Sequence, residues 1–137
     1  MVGILVVTHG QVAKELANAA EMIVGKMENI ATISIGWNDN VAEARQKISK
    51  GIKKVDTGRG VIIVTDMFGG TPTNISLPFL KNNQVEIVTG VNLPMLIKLS
   101  SLQKEDMELI EIARKVQERG QQCVYVASDV LSSRSQP

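Results

Sequence analysis

Apolar residues follow two different rhythms along this chain. Short runs are apolar at every position, whereas the stretches between them repeat apolar residues every three or four positions. The runs are typical of buried β-strands and the repeats of amphipathic helices. Strands are predicted over residues 2–8, 30–35, 61–65, 85–88 and 123–127, with helices between them. This alternation predicts an α/β fold with a doubly wound, mainly parallel five-stranded sheet and helices on both faces.

Local signals mark several helix ends. The first helix is predicted to bury one apolar face, formed by Val12, Leu16, Ala19, Ala20 and Ile23. Asn40 resembles the cap of the second helix. Thr71 and Pro72 predict a third helix, with threonine at its cap and proline at its first position. Gly120 is expected to end a helix over residues 104–119.

Size and composition limit the class of protein. The 137 residues suit one domain, predicted over residues 1–130 and followed by a flexible tail over residues 131–137. A net charge of +1 and 3% aromatic residues argue against a nucleic-acid partner. No apolar run approaches the roughly 20 residues of a membrane span, and the first residues lack a secretory signal. We therefore expect a cytoplasmic protein.

His9 is the only histidine in the sequence, and it directly follows the first predicted strand. A lone histidine is by default an incidental surface or core residue. Parallel α/β sheets, however, bind ligands at the carboxyl ends of their strands. Imidazole titrates near neutrality, so its neutral form is available as a nucleophile. His9 is therefore a candidate acceptor of a phosphoryl group.

Asp66 and a glycine-rich stretch follow the third predicted strand. A carboxylate that accepts from one ring N–H fixes the tautomer of a histidine and leaves the other nitrogen free to attack. Gly69 and Gly70 permit close approach of backbone to an anion, and the helix start at Thr71 offers free N–H groups. The alternative is an ordinary helix start in which Asp66 only caps a turn. The combination with His9 favours a phosphoryl-binding site.

Other templates fit less well. The sequence has neither the Gly-x-x-x-x-Gly-Lys-Ser/Thr phosphate loop nor a Gly-x-Gly-x-x-Gly dinucleotide fingerprint after its first strand. A receiver domain needs acidic residues after that strand, and none follows it. His9 and Cys123 are too few and too far apart for a zinc site, so we predict no metal and no other cofactor. Cys123 and Trp37 are interpreted as packing residues, with a place at the rim of the site as the alternative for Trp37.

Three segments together resemble one known family. Val-Thr-His-Gly at 7–10, Asp-Met-Phe-Gly-Gly-Thr-Pro-Thr-Asn at 66–74 and Gly-Val-Asn-Leu-Pro-Met-Leu at 90–96 are similar to motifs of the mannose-family enzyme IIA domain. That domain belongs to the bacterial phosphoenolpyruvate:sugar phosphotransferase system. The order and spacing match over about residues 1–127. Phe68 is a departure, since many sugar-transporting relatives carry tryptophan there.

The resemblance implies a role for each site residue. His9 would accept phosphate from the histidine-containing phosphocarrier protein, Asp66 would hydrogen-bond it, and Thr71 would place a hydroxyl near the phosphoryl group. The acceptor would be an enzyme IIB, expected as a separate protein, so the membrane is met only through transporter components. The family fold has an antiparallel last strand, commonly exchanged within a homodimer, and residues 123–127 would be that strand.

Three other functions stay open at this point. The same chemistry could serve a free-standing regulatory phosphoacceptor without a transport role, or supply phosphate to a dihydroxyacetone kinase. A non-catalytic module that binds an anion or a small ligand would show no covalent transfer. The first two functions require His9 as the acceptor, whereas the third does not.

Overall fold

The structure, a computed structural model, describes residues 1–135. Strands and helices alternate along most of this part of the chain. The elements are β1 Gly3–His9, α1 Val12–Val24, β2 Ile30–Ile35, α2 Val41–Val55, β3 Val61–Thr65, α3 Thr71–Ser76, β4 Val85–Val88, α4 Leu93–Leu102, α5 Leu109–Gln122 and α6 Ala127–Ser135. A short 3-10 helix, Leu77–Phe79, follows α3 directly.

The four strands form one parallel sheet in the order β2-β1-β3-β4. Strand β3 is buried at every position, as its unbroken apolar run predicts for a central strand. In the register, Val7 of β1 lies beside Thr65 of β3, and His9 lies beside Ile35 of β2. The carboxyl ends of β1 and β3 are therefore neighbours at one edge of the sheet, as the sequence predicted.

Helices cover both faces of the sheet, which confirms the doubly wound α/β prediction. Alternate residues of β1 and β3 point to opposite faces, so each face has its own apolar core. Helices α1, α4 and α5 pack on one face around Ile4, Val6, Ile62 and Val64. Helices α2 and α3 pack on the other around Leu5, Val7 and Ile63.

The helix caps agree with the sequence in one case and differ in another. The Asn40 side chain accepts a hydrogen bond from the Ala42 N–H at 2.7 Å, which confirms the predicted cap of α2. The predicted threonine cap of α3 is wrong, because Gly70 holds the cap position and Thr71 is the first helical residue. The extended backbone of Gly70 starts the helix without a side-chain cap.

The predicted inward face of α1 is also wrong. The residues it buries are Ala13, Ala17 and Ala20, while Val12 is 45% and Ile23 59% exposed. Alanines let the helix axis lie close to the sheet, and this close packing leaves the larger apolar residues at the rim. An apolar moment shows only which side of a helix is greasy, so small residues can displace the buried face from the predicted one.

The predicted fifth strand over residues 123–127 does not form in the described chain. Residues 124–126 are irregular, Ala127 already begins α6, and the side chains of Val124, Tyr125 and Val126 are exposed. β-propensity records how well a residue fits a paired, half-buried surface, and within one chain this segment has no such pairing. The predicted tail, residues 131–137, begins inside α6; residues 136–137 lie outside the described residues, and its flexibility stays a prediction.

The start of β1 makes a tight contact that tests this packing. A Cβ added at Gly3 would collide with the backbone carbonyl of Val55 and approach its Cγ2 to 2.7 Å. We expect Gly3→Ala to lower the free energy of unfolding, measured by urea denaturation, by about 1–3 kcal/mol. Gly36→Ala is the matched control, because the nearest atom to its added Cβ is 3.4 Å away. Equal stability of the two variants would contradict the packing.

Candidate functional site

His9 and Asp66 meet at the carboxyl ends of the two central strands. His9 is the last residue of β1, and Asp66 directly follows the last residue of β3. The His9 ring donates from Nδ1 to Asp66 Oδ2 at 2.7 Å, and the His9 backbone N–H donates to the same oxygen at 3.0 Å. The predicted pair is therefore brought together, held through both the side chain and the main chain of His9.

The carboxylate of Asp66 is held in its charged form. Partial burial by itself raises the pKa of Asp66, but the hydrogen bonds from the His9 backbone and ring, with the charge of the imidazolium, lower it further. The net effect places the pKa of Asp66 below its ordinary value of 3.8. The second oxygen, Oδ1, accepts from the Met67 N–H at 3.1 Å. A fixed anion thus stands beside the imidazole.

The bond to Asp66 sets the roles of the two ring nitrogens. Because Asp66 is an anion, Nδ1 carries the hydrogen, and the lone pair of a neutral ring is then on Nε2. No hydrogen-bond partner of Nε2 occurs among residues 1–135, and the His9 side chain is 49% exposed against 19% for Asp66. The arrangement presents a nucleophilic nitrogen to solvent and buries its partner.

The two glycines of the site loop have different reasons to be glycine. Gly69 has φ +84°, a left-handed conformation that favours residues without a Cβ. Gly70 instead allows the helix start to approach the imidazole. A Cβ at Gly70 would lie 2.9 Å from His9 Cε1 and 3.6 Å from Nε2. The loop therefore lies against the ring face of the site, as its sequence position predicted.

The two threonines of this loop separate in the structure. Thr71 is exposed and lines the same cavity as His9. Thr73 is fully buried, and its hydroxyl bonds to Thr65 Oγ1 and to the Met67 carbonyl. Only Thr71 is therefore open to a ligand at the site. The inward bonds of Thr73 were not predicted, because nothing in the sequence tells which of two nearby hydroxyls turns into the fold.

A cavity of about 370 Å³ opens beside His9, between the ends of β1 and β2 and the start of α3. Trp37 stands at its rim with its side chain fully exposed, so its interpretation as a packing residue is wrong and the alternative holds. The turn that carries Trp37 is shaped by Asp39, whose Oδ2 accepts from the Gly36 N–H at 2.7 Å. Sequence reasoning missed Asp39, although an aspartate three residues after a glycine is a common turn signal.

Metal and membrane chemistry have no basis in the described residues. Residues 1–135 contain no group of three or more His, Cys, Asp or Glu side chains arranged to hold a metal ion. None of the helices within that range is both long enough and apolar enough to cross a bilayer.

Comparison with known proteins gives a consistent match over the region that holds the site. The family profile described as "EIIA-man: PTS system fructose IIA component" matches residues 3–117. These residues include His9, Asp66 and the loop at 69–71. The match therefore covers the four strands and both sides of the site.

Two curated relatives extend this result. The chain is 30% identical over 124 residues to the "PTS system mannose-specific EIIAB component" of Escherichia coli (strain K12), covering 90% of this chain and 38% of that relative. The chain thus spans less than half the length of that relative. It is 26% identical to the "PTS system fructose-specific EIIA component" of Bacillus subtilis (strain 168), covering 96% of this chain and 90% of the relative.

A solved structure shows the same fold at similar identity. The "PTS IIA protein associated with the fucose utilization operon from Streptococcus pneumoniae" is 31% identical and superposes with a TM-score of 0.81. The superposition covers 96% of this chain and 99% of that chain. Sequence and fold therefore point to one group of proteins.

Replacing Asp66 by Asn tests the electrostatics of the pair. Because the pKa of Asp66 is lowered by folding, its charged form stabilises the protein above its ordinary pKa of 3.8. That stabilisation is lost as the pH falls through the lowered value. We expect the difference in free energy of unfolding between wild type and Asp66→Asn to be larger at about pH 5 than at about pH 2.5, measured by urea denaturation. The same difference at both pH values would contradict the assignment.

Proposed function

The chain belongs to the EIIA-man family of phosphotransferase-system (PTS) IIA components, and we propose that it is a phosphoryl carrier in sugar uptake. In this proposal His9 accepts phosphate from the histidine-containing phosphocarrier protein and passes it to an enzyme IIB in the cytoplasm. The observation that carries the proposal is the 2.7 Å bond from His9 Nδ1 to Asp66, which leaves Nε2 as the exposed nucleophile. The protein is accordingly a phosphotransferase component with a phosphohistidine intermediate.

The proposed transfer exchanges one nitrogen–phosphorus bond for another. His9 Nε2 attacks the phosphorus of the donor phosphohistidine as the donor N–P bond breaks, and the bonding pair returns to the donor ring. Positive charge develops on the His9 ring as the new bond forms, and the Asp66 carboxylate stabilises it through the Nδ1–H. Transfer to enzyme IIB reverses these steps with the acceptor side chain as the nucleophile.

The loop at Gly69, Gly70 and Thr71 is the proposed binding site for the phosphoryl oxygens. The first turn of a helix leaves backbone N–H groups without intrahelical acceptors and carries a partial positive charge. Gly70 lies against the His9 ring, and the exposed Thr71 lines the same cavity. Donors placed in advance around a transferring phosphoryl group act by positioning and electrostatics. This support lies on the Nε2 side of the ring.

Apolar side chains around His9 suit transient protein partners. Trp37 is fully exposed at the cavity rim, and Met67 and Phe68 are exposed on the loop after Asp66. Tryptophan and other large side chains supply much of the binding energy in small interfaces. A carrier must release each partner after transfer, so a small patch around one reactive residue fits better than an extensive interface. We assign this patch to the phosphocarrier protein and enzyme IIB.

A homodimer completes the proposal, with residues 123–127 as the shared segment. Strand β4 is at the edge of the sheet, and the exposed apolar residues Val124, Tyr125 and Val126 have β-forming side chains. A groove of about 350 Å³ runs beside β4, lined in part by Leu77 and Leu80. An edge strand offers unpaired backbone groups to a second chain. In the dimer each segment would add to the partner's β4 as an antiparallel fifth strand.

Phosphate transfer to His9 is the direct test. We expect the wild type to gain one acid-labile phosphate when incubated with phosphoenolpyruvate, enzyme I and the phosphocarrier protein, as measured by intact mass. His9→Ala should gain none, because the sequence has no other histidine. Asp66→Ala should remain folded but accept phosphate at least about a hundredfold more slowly, since the ring loses its orientation.

The control is a phosphocarrier protein shown to be active with another acceptor. With that control in place, phosphate on His9→Ala would contradict the acceptor assignment. No phosphate on the wild type would instead favour a non-catalytic module that binds an anion.

The dimer is tested by changing the exposed segment. We expect the wild type to sediment as a dimer and the double variant Val124→Glu/Val126→Glu as a monomer, because charges on a pairing strand oppose its burial. Met22→Glu is the control, since it adds the same charge at an apolar residue that is 88% exposed on α1. A wild type that stays monomeric at all concentrations, or a double variant that stays dimeric, would contradict the proposed strand.

A further inference from the structure

Helix α3 contains two buried hydroxyl groups, and only one of them contacts the loop that holds Asp66. Thr73 and Ser76 are both inaccessible to solvent. Ser76 donates to the Pro72 carbonyl at 2.7 Å, a bond that stays within the helix. Thr73 instead bonds outside its helix, at the start of the loop. The two residues are chemically alike, but only Thr73 is connected to the site.

The Thr73 hydroxyl joins the two residues on either side of Asp66. Its Oγ1 donates to the Met67 carbonyl at 2.6 Å and lies 2.7 Å from the Thr65 hydroxyl. A hydroxyl has one hydrogen, so Thr73 donates to Met67 and accepts from Thr65. Both bonds are shielded from water, since Thr65 is also inaccessible. The backbone before and after Asp66 is thereby held at one point.

We propose that Thr73 is a positioning residue for His9, acting through Asp66. One oxygen of Asp66 must stand 2.7 Å from His9 Nδ1 and 3.0 Å from the His9 backbone nitrogen. Such a double contact is kept only if the backbone that carries the carboxylate is fixed. The Thr73 hydroxyl fixes it on both sides and leaves the carboxylate itself free for His9.

The proposal also follows from what the loss of this hydroxyl would leave behind. Without it, the Met67 carbonyl and the Thr65 hydroxyl would be buried without this partner, which costs about 1–3 kcal/mol for such a group. The loop would move to recover a hydrogen bond. Met67 also lies beside Gly70, since a Cβ there would be 3.1 Å from Met67 Cγ. A shift of Met67 would therefore disturb both sides of the His9 ring.

The first test reads the histidine ring directly. With one histidine in the sequence, the ring nitrogens of the full chain give a single set of ¹⁵N signals, which report the tautomer of the neutral ring. We expect wild type to show hydrogen on Nδ1. Thr73→Val, which keeps the shape but removes the hydroxyl, should show a mixture of tautomers, and Thr73→Ser should restore the wild-type pattern.

The second test measures the rate of phosphoryl acceptance, and it rests on the proposed function. We expect Thr73→Val to lower the initial rate roughly tenfold to a hundredfold, as misplacement of reacting groups does. Thr73→Ser should stay near the wild-type rate. Ser76→Ala is the matched control, because it removes a buried hydroxyl of the same helix that has no bond to the loop. It should change neither the ¹⁵N spectrum nor the rate.

The outcomes separate this proposal from a structural role and from the proposed function. A Thr73→Val protein of lowered Tm with an unchanged ¹⁵N spectrum would overturn the positioning role. So would a Ser76→Ala variant that loses the Nδ1–H pattern to the same degree. Thr73→Ala replaces Thr73→Val if the latter does not fold. A wild type that accepts no phosphate would end the proposed function, while the ¹⁵N comparison would still decide the role of Thr73.

Discussion

One carboxylate oxygen, Asp66 Oδ2, joins the ends of the two central strands and makes the site possible. It accepts from both the backbone and the ring of His9, a residue 57 positions away in the sequence. The contact exists because β1 and β3 are parallel neighbours that end at the same edge of the sheet. Without that pairing the histidine would be an ordinary exposed ring. The apolar strands therefore support the chemistry only through this one point of contact.

The site combines a rigid side with an accessible one. Asp66 is mostly buried, and the Thr65–Thr73 hydroxyl pair lies behind it out of contact with water. His9 Nε2 is on the open side, beside a cavity rimmed by Trp37. A group that receives phosphate from one protein and gives it to another must be reachable, yet transfer requires a fixed geometry. Placing the order behind the ring and the access in front of it meets both demands.

Features that depend on neighbouring residues in the chain were predicted well. Strand β3 was found because five consecutive apolar residues fit a central strand, and Asn40 because capping is a contact over two residues. Features that depend on packing were missed. The apolar moment of α1 put Val12 inside, but three alanines set how close the helix lies. The segment at Val124 has the composition of a strand, yet within a single chain it remains unpaired.

The sequence by itself determined the order of strands and helices, the candidate residues and the family resemblance, because these follow from local periodicity and from residues close together in the chain. Only the tertiary structure decided that Nδ1 of His9 is the bonded nitrogen, that Gly70 is needed for approach to the ring, and that Thr73 turns inward while Thr71 stays exposed. Each of these is a distance between groups on different elements. Such distances are set by how β1, β3 and α3 pack together, which no single stretch of sequence encodes.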